Sequence, residues 1–182
     1  MTTPVLILGA GGFARAVLDA LWHVASLRPV GLLDDRHPEP GALGGLPVLG
    51  RLSQLNEFGS LARSAVIAVG NPIARAALFE QAHAAGFDLP PLVHPRAYLA
   101  SDVEIGTGTV VMAGAIVGAA TRLGQGCLIN SGAVIDHDCQ VGRFAHVGIS
   151  ASMGGGARMT DGSWLKQGQV LGALQHLSGN SS

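Results

Sequence analysis

Lysine is almost missing from this chain of 182 residues: Lys166 stands alone against ten arginines. The formal net charge is −1, so nothing in the charge balance favours a nucleic acid or an anionic membrane as partner. Cysteine is equally scarce. Cys127 and Cys139 are the only two, too few for a disulfide framework or a cysteine zinc motif. No apolar run approaches the ~20 residues that span a bilayer. The amino end, MTTPVLILGAGG, has no basic segment before its apolar run, and that run breaks at glycine. It reads as a strand and turn rather than a secretory leader. Together these absences predict a cytoplasmic protein. Tyrosine occurs once, at Tyr98, and position 102 is Asp102, so a Tyr-x-x-x-Lys oxidoreductase dyad has no residues to form it.

Glycine and aliphatic residues are abundant instead. The 27 glycines point to many turns or a repeat, and 48% hydrophobic residues supply a sizeable core. Residues 1–92 alternate strand and helix patterns. PVLILG (4–9) is an apolar run ending in glycine, and GAGGFARAVLDAL (9–21) follows with helical spacing. PVGLLDD (29–35) and SAVIAVG (64–70) read as further strands, and NPIARAALFEQAHAAG (71–86) as a second helix. In that helix Asn71 is the expected cap, Pro72 opens the first turn and Gly86 stops the last. The alternation predicts a Rossmann-like α/β domain. Gly9, Gly11 and Gly12 would let a backbone approach a diphosphate, and Asp34 and Asp35 fall where a ribose-binding carboxylate is expected. The spacing is not GxGxxG, because position 14 is Ala14, so a purely structural turn remains the alternative.

From Val93 to Leu171 every sixth residue is aliphatic or methionine, fourteen times in succession. By chance one such register has odds on the order of 10⁻⁶ at ordinary apolar usage. A small residue usually stands two places earlier, as at Thr109, Ala115, Thr121, Cys127, Ala133 and Cys139. Glycine often stands one place later, where it is expected to allow the turn. Hexad periodicity predicts a parallel β-helix over 93–172, with three hexads per coil and residue i stacked on i+18. Residues 173–182 read as an irregular tail. The cysteines occupy small-residue slots, so packing is their expected role.

His137 and His146 stand outside the inward slots, so neither is expected to be a buried core histidine. His94 beside Pro95 reads as structural. Asp136 and Asp138 flank His137 and can orient a protonatable imidazole. Eighteen residues on lies Gly155, within Gly154-Gly155-Gly156, at a position where other hexads carry long side chains. A bare amide one strand from a histidine can donate to an oxyanion. No third histidine has the spacing for a trimeric carbonic-anhydrase-like zinc site, so no metal is expected.

The GAGG-x-A-R start, the LLDD strand end, VGN-P-x-x-R from Val69 to Arg75, HPRA, and the hexads VIDHDC-x-VG-x-F-x-HVG resemble the bacterial hexapeptide-repeat sugar-nucleotide and sialic acid acetyltransferases of the PglD and NeuD type. The resemblance covers about residues 1–170. It implies a left-handed β-helix, a homotrimer, and acetyl-CoA as co-substrate lying between subunits. It implies N-acetylation of a UDP-4-amino-sugar-like nucleotide, with sugar O-acetylation or a catalytically silent sugar-nucleotide-binding scaffold as alternatives. By residue, it implies His137 as general base, Asp138 as its supporting carboxylate, and His146, Gly155 and Gly156 at the cofactor. It places Gly9, Gly11, Gly12, Asp34, Asp35 and Asn71 in the nucleotide-sugar pocket. Two departures stand out: Phe13 where many relatives have histidine, and hexads that stop at Leu171 where relatives continue for one or two more coils.

Overall fold

In the computed structural model, residues 2–39 and 41–179 are described. The chain forms two compact units, Met1–Leu92 and Val93–Ser182.

The first unit is a sheet with helices. Strands β1 (Thr3–Leu8), β2 (Leu27–Leu33), β3 (Ala42–Leu43), β4 (Leu46–Gly50) and β5 (Ser64–Ile67) lie in the order β3-β4-β2-β1-β5. All neighbours are parallel except the β3–β4 hairpin. Val5 to Leu8 are fully buried, as expected of a continuous apolar run in a central parallel strand. Helix α1 (Gly12–His23) buries Ala14, Val17, Leu18 and Leu21, a stripe at helical spacing. Helix α2 (Pro72–Ala84) is capped by Asn71, whose side chain accepts the Ala74 N–H at 3.0 Å, and ends at Gly86 with φ +76°. The hairpin was not anticipated from the sequence, although Gly44-Gly45 between Leu43 and Leu46 carries a two-glycine turn signal.

The second unit is a three-walled parallel β-helix. Wall one stacks Tyr98–Leu99, Ile116–Val117, Val134–Ile135, Ser152–Met153 and Val170–Leu171. Wall two stacks Glu104–Ile105, Arg122–Leu123, Gln140–Val141, Arg158–Met159 and His176–Leu177. Wall three begins at Leu92–Val93 and continues through Val110–Val111, Leu128–Ile129, His146–Val147 and Trp164–Leu165. Partners are parallel and eighteen residues apart, as in Val134↔Ser152 and His146↔Trp164. This stacking fits a left-handed β-helix. The second residue of each pair points inward, and Val111 through Leu171 form one buried column.

The small slots are buried too, and their polar members bond in a fixed pattern. Thr109 and Thr121 donate to the carbonyls of Gly124 and Asp136 at 2.9 Å, and the Cys127 and Cys139 thiols donate to Gly142 and Gly154. Each bond spans fifteen residues, so these side chains tie one coil to the next.

Two expectations are corrected here. The glycines after the inward residues do not make the turns. A Cβ on Gly118, Gly124 or Gly154 would lie 2.7–2.8 Å from backbone of the next coil, so these glycines permit close stacking. From Val111 onward φ is positive three residues before each inward position, in a different column that includes Ala120, Asp138, Phe144 and Gly156. Nor is the segment after position 172 wholly irregular. His176–Leu177 adds a strand to wall two by pairing with Arg158–Met159. Leu177 keeps the six-residue period, one position beyond the fourteen read from the sequence. Residues 180–182 of the expected tail lie outside the described residues.

Candidate active site

His137 stands at the corner between walls one and two. Ile135 before it and Cys139 after it are locked in the core, which fixes the corner backbone. Asp138 occupies the left-handed turn position with φ +59°, a conformation that aspartate tolerates better than most residues. Its carboxylate is thereby turned back on its neighbour. Asp138 Oδ2 lies 2.7 Å from His137 Nδ1. A carboxylate only accepts, so Nδ1 carries the proton and Nε2 is left as the basic nitrogen. Asp136 accepts the His137 N–H through Oδ1 at 2.8 Å, and its Oδ2 lies 3.9 Å from Nε2. The Asp138 hydrogen bond, and then the charge of Asp136, raise the His137 pKa above the usual histidine value. The side chain is 61% exposed, so Nε2 is open to a substrate.

Gly155 lies beneath this ring. A Cβ there would come within 2.8 Å of Nε2 and 2.9 Å of Cε1. Glycine at this one position is what lets the imidazole lie over the next coil. At the same corner position in other hexads a side chain holds the backbone N–H: Asn130 for Ser131, Asp136 for His137 and Asp161 for Arg143. Gly154 has no side chain to offer, and the Gly155 N–H makes no hydrogen bond among the described residues. Gly156 closes the corner, donating its N–H to the His137 carbonyl at 2.9 Å.

His146 is elsewhere. It sits on wall three, so a single chain does not bring it to the corner of His137. The expectation that it is not a buried histidine is corrected: it is only 5% exposed, like Val110 and Leu128 at the outward positions of the same wall, and it stacks on the ring of Trp164. His94 is buried and accepts the Arg96 N–H at Nδ1, in keeping with a structural role.

In the first unit the turn after β1 forms one side of a cleft of about 680 Å³ lined by Ala10, Gly11, Gly12, Arg15, Arg36, Glu39 and Leu43. Gly9 lies under the turn with φ +103°, and a Cβ on it would meet the Ala68 carbonyl at 3.2 Å. Gly11 and Gly12 open α1 with free space where a Cβ would stand, so a ligand can approach their backbone. Asp34 is buried, and its carboxylate is already engaged. It accepts the Ala10 N–H at 2.6 Å and the Arg36 guanidinium at 2.7 and 3.1 Å. Arg36 holds the Asp34 pKa down to about 2. Asp34 therefore shapes the glycine turn and aims Arg36, rather than presenting a bare carboxylate. Asp35 turns away and accepts the Leu52 N–H at the start of a 3-10 helix, Leu52–Phe58. Asn71 is occupied as a helix cap. Neither residue lines the cleft. Sequence reasoning missed Arg36 as a cleft residue, although it directly follows the paired aspartates.

Comparison with known proteins adds to this geometry. Residues 4–82 match the PglD N-terminal domain family. No curated protein sequence matches the chain. Among solved structures, the acetyltransferase domain of PglB from Neisseria gonorrhoeae, in complex with acetyl coenzyme A, is 30% identical with a TM-score of 0.80, over 98% of this chain and 94% of that one. PerB from Caulobacter crescentus, in complex with CoA and GDP-perosamine, is 28% identical with a TM-score of 0.80, over 99% of this chain and 93% of that one. A histidine-to-alanine mutant of the GDP-perosamine N-acetyltransferase of the same organism, with the same two ligands, gives 28% and 0.81 over 98% and 91%. The chain belongs to the hexapeptide-repeat sugar-nucleotide acetyltransferases of the PglD type, and is by class an acyltransferase. No helix among the described residues is long and apolar enough to cross a membrane.

Proposed function

We propose that this protein transfers the acetyl group of acetyl-CoA to the amine of a nucleotide-linked amino sugar, with His137 as general base and without an acyl-enzyme. The observation that carries this reading is the pairing of Nδ1 with Asp138 while Nε2 stays open above Gly155. The acceptor amine attacks the thioester carbonyl and gives its proton to Nε2. The oxyanion takes a hydrogen bond from the Gly155 N–H. Collapse breaks the C–S bond, and the leaving thiolate takes the proton from the imidazolium. A positioned base is worth about 10²–10⁴-fold and an oxyanion donor about 10²–10³-fold. The cysteines offer no covalent alternative: both are buried, and burial pushes the Cys139 thiol pKa up.

The amino-terminal unit serves in this reading as a Rossmann-like nucleotide-sugar domain. Gly11 and Gly12 at the start of α1, with Arg15 and Arg36, supply positive potential for phosphates. Asp34 contributes through Arg36. The protein acts as a homotrimer, with acetyl-CoA between subunits and His146 and Gly156 at the cofactor. Two observations support assembly. On wall one Tyr98, Ile116 and Val134 stack as exposed apolar residues, with Val170 continuing the column beyond Ser152. A second copy is also needed to bring a wall-three histidine near the corner of His137.

The test is thiol release from acetyl-CoA with a panel of UDP- and GDP-linked amino sugars, and hydroxyl acceptors beside them. Release with an amino sugar, giving an N-acetylated product, is expected. No release with any acceptor, together with no acetyl-CoA binding, overturns the reading in favour of a silent scaffold.

A further inference from the structure

We propose that Trp164 is a positioning residue for acetyl-CoA binding: by stacking on His146 it holds that imidazole in one orientation. This rests on the cofactor role given to His146 above. Both residues are the outward members of their strand pairs on wall three, directly stacked in register. Outward residues such as Val134 on wall one and Gln140 on wall two are open to solvent, whereas on wall three Val110, Leu128 and His146 are all buried. Against His146 the indole lies nearly flat, with ring centroids 4.7 Å apart and planes 14° from parallel. On the preceding coil Asn130 Nδ2 comes within 3.4 Å of His146 Nε2, so the ring is bounded at its edge as well as on its face.

One contact helps to hold the indole itself in place. Lys166, the only lysine in the chain, rests its ammonium 3.5 Å from the ring centroid. The Trp164 Nε1–H is buried without a hydrogen-bond partner among the described residues. The broad ring face is what the site retains. An imidazole fixed between Trp164 and Asn130 meets a ligand in a single pose, which saves the ordering cost of binding.

The experiment is thiol-release kinetics with acetyl-CoA varied, for Trp164→Leu, Trp164→Phe, His146→Ala and the His146→Ala/Trp164→Leu double variant. Trp164→Leu is expected to raise the acetyl-CoA KM by roughly tenfold, with a smaller change in kcat. Trp164→Phe keeps an aromatic face and is expected within about threefold of wild type. The double variant is expected to be no worse than His146→Ala, because Trp164 acts through that ring. The ring protons of His146 should also carry an upfield shift from the indole in wild type, a readout independent of any variant's folding. A wild-type KM in folded Trp164→Leu, full additivity in the double variant, or unshifted His146 protons would each overturn the proposal. If His146→Ala leaves KM unchanged, the cofactor role of His146 and this inference fall together. Acetyl transfer by the wild type would still stand.

Discussion

Replacing His137 with alanine is expected to lower turnover by about 10²-fold or more while leaving the β-helix folded. The two halves of that expectation come from different parts of the same corner. The imidazole is 61% exposed and makes its one close side-chain hydrogen bond to Asp138, itself on the surface, so its removal opens no cavity. The corner is held by backbone bonds that alanine keeps, from Asp138 N–H to Ala119 O and from Gly156 N–H to His137 O, both 2.9 Å. Catalysis has no such substitute. Among the described residues no other imidazole of the same chain shares the corner, and a carboxylate is a far weaker base than an imidazole. Steady-state thiol release, with circular dichroism as the folding control, checks both halves.

Gly155→Ala is expected to cost about 10–10²-fold in turnover, although it adds one methyl group. The Gly155 backbone is not in the left-handed region, so alanine meets no conformational penalty. The methyl instead collides with the His137 ring, 2.8 Å from Nε2. His137 is an exposed side chain and will swing aside, which spares the fold and breaks the alignment of base, amine and carbonyl. The same methyl crowds the Gly155 N–H meant for the oxyanion. Adding Gly155→Ala to His137→Ala separates these effects. If displacement of the base dominates, the double variant is no slower than His137→Ala alone. A Gly155→Ala enzyme with wild-type kcat would contradict the claim that the open space over Gly155 aligns the base.

Much of the second unit was legible in the sequence because its contacts follow one short period. Once every sixth residue is seen to be apolar, the inward column, the eighteen-residue stacking and the buried cysteines follow from counting. The function of each glycine was not legible in that way. Gly118 and Gly124 look like turn residues, yet they yield to the backbone of the next coil, and the turns fall at positions such as Asp138 and Phe144. The strand at His176–Leu177 was hidden because Leu177 is a single apolar position followed by the polar segment SGNSS. The stacking of His146 on Trp164 joins residues eighteen apart, and neither residue shows it alone. In the first unit the strands and helices were read from apolar periodicity. The engagement of Asp34 with Ala10 and Arg36 could not be read, because it depends on how two strand ends meet. The pairing of His137 with Asp138 was legible as adjacency. Which nitrogen stays free was settled only by the turn geometry at Asp138.

The most direct measurement of the central claim is the pH dependence of kcat/KM for acetyl transfer, wild type beside Asp138→Asn. A general base works unprotonated, and its carboxylate partners raise the His137 pKa. The rate is therefore expected to rise with pH through a midpoint above about 6.5, the ordinary histidine value. Asp138→Asn should bring that midpoint down and lower the plateau, because the ring loses both its charge partner and its orienting acceptor. A wild-type profile that stays flat across the histidine range, or a midpoint that Asp138→Asn leaves unmoved, would contradict the assignment of His137 as the base.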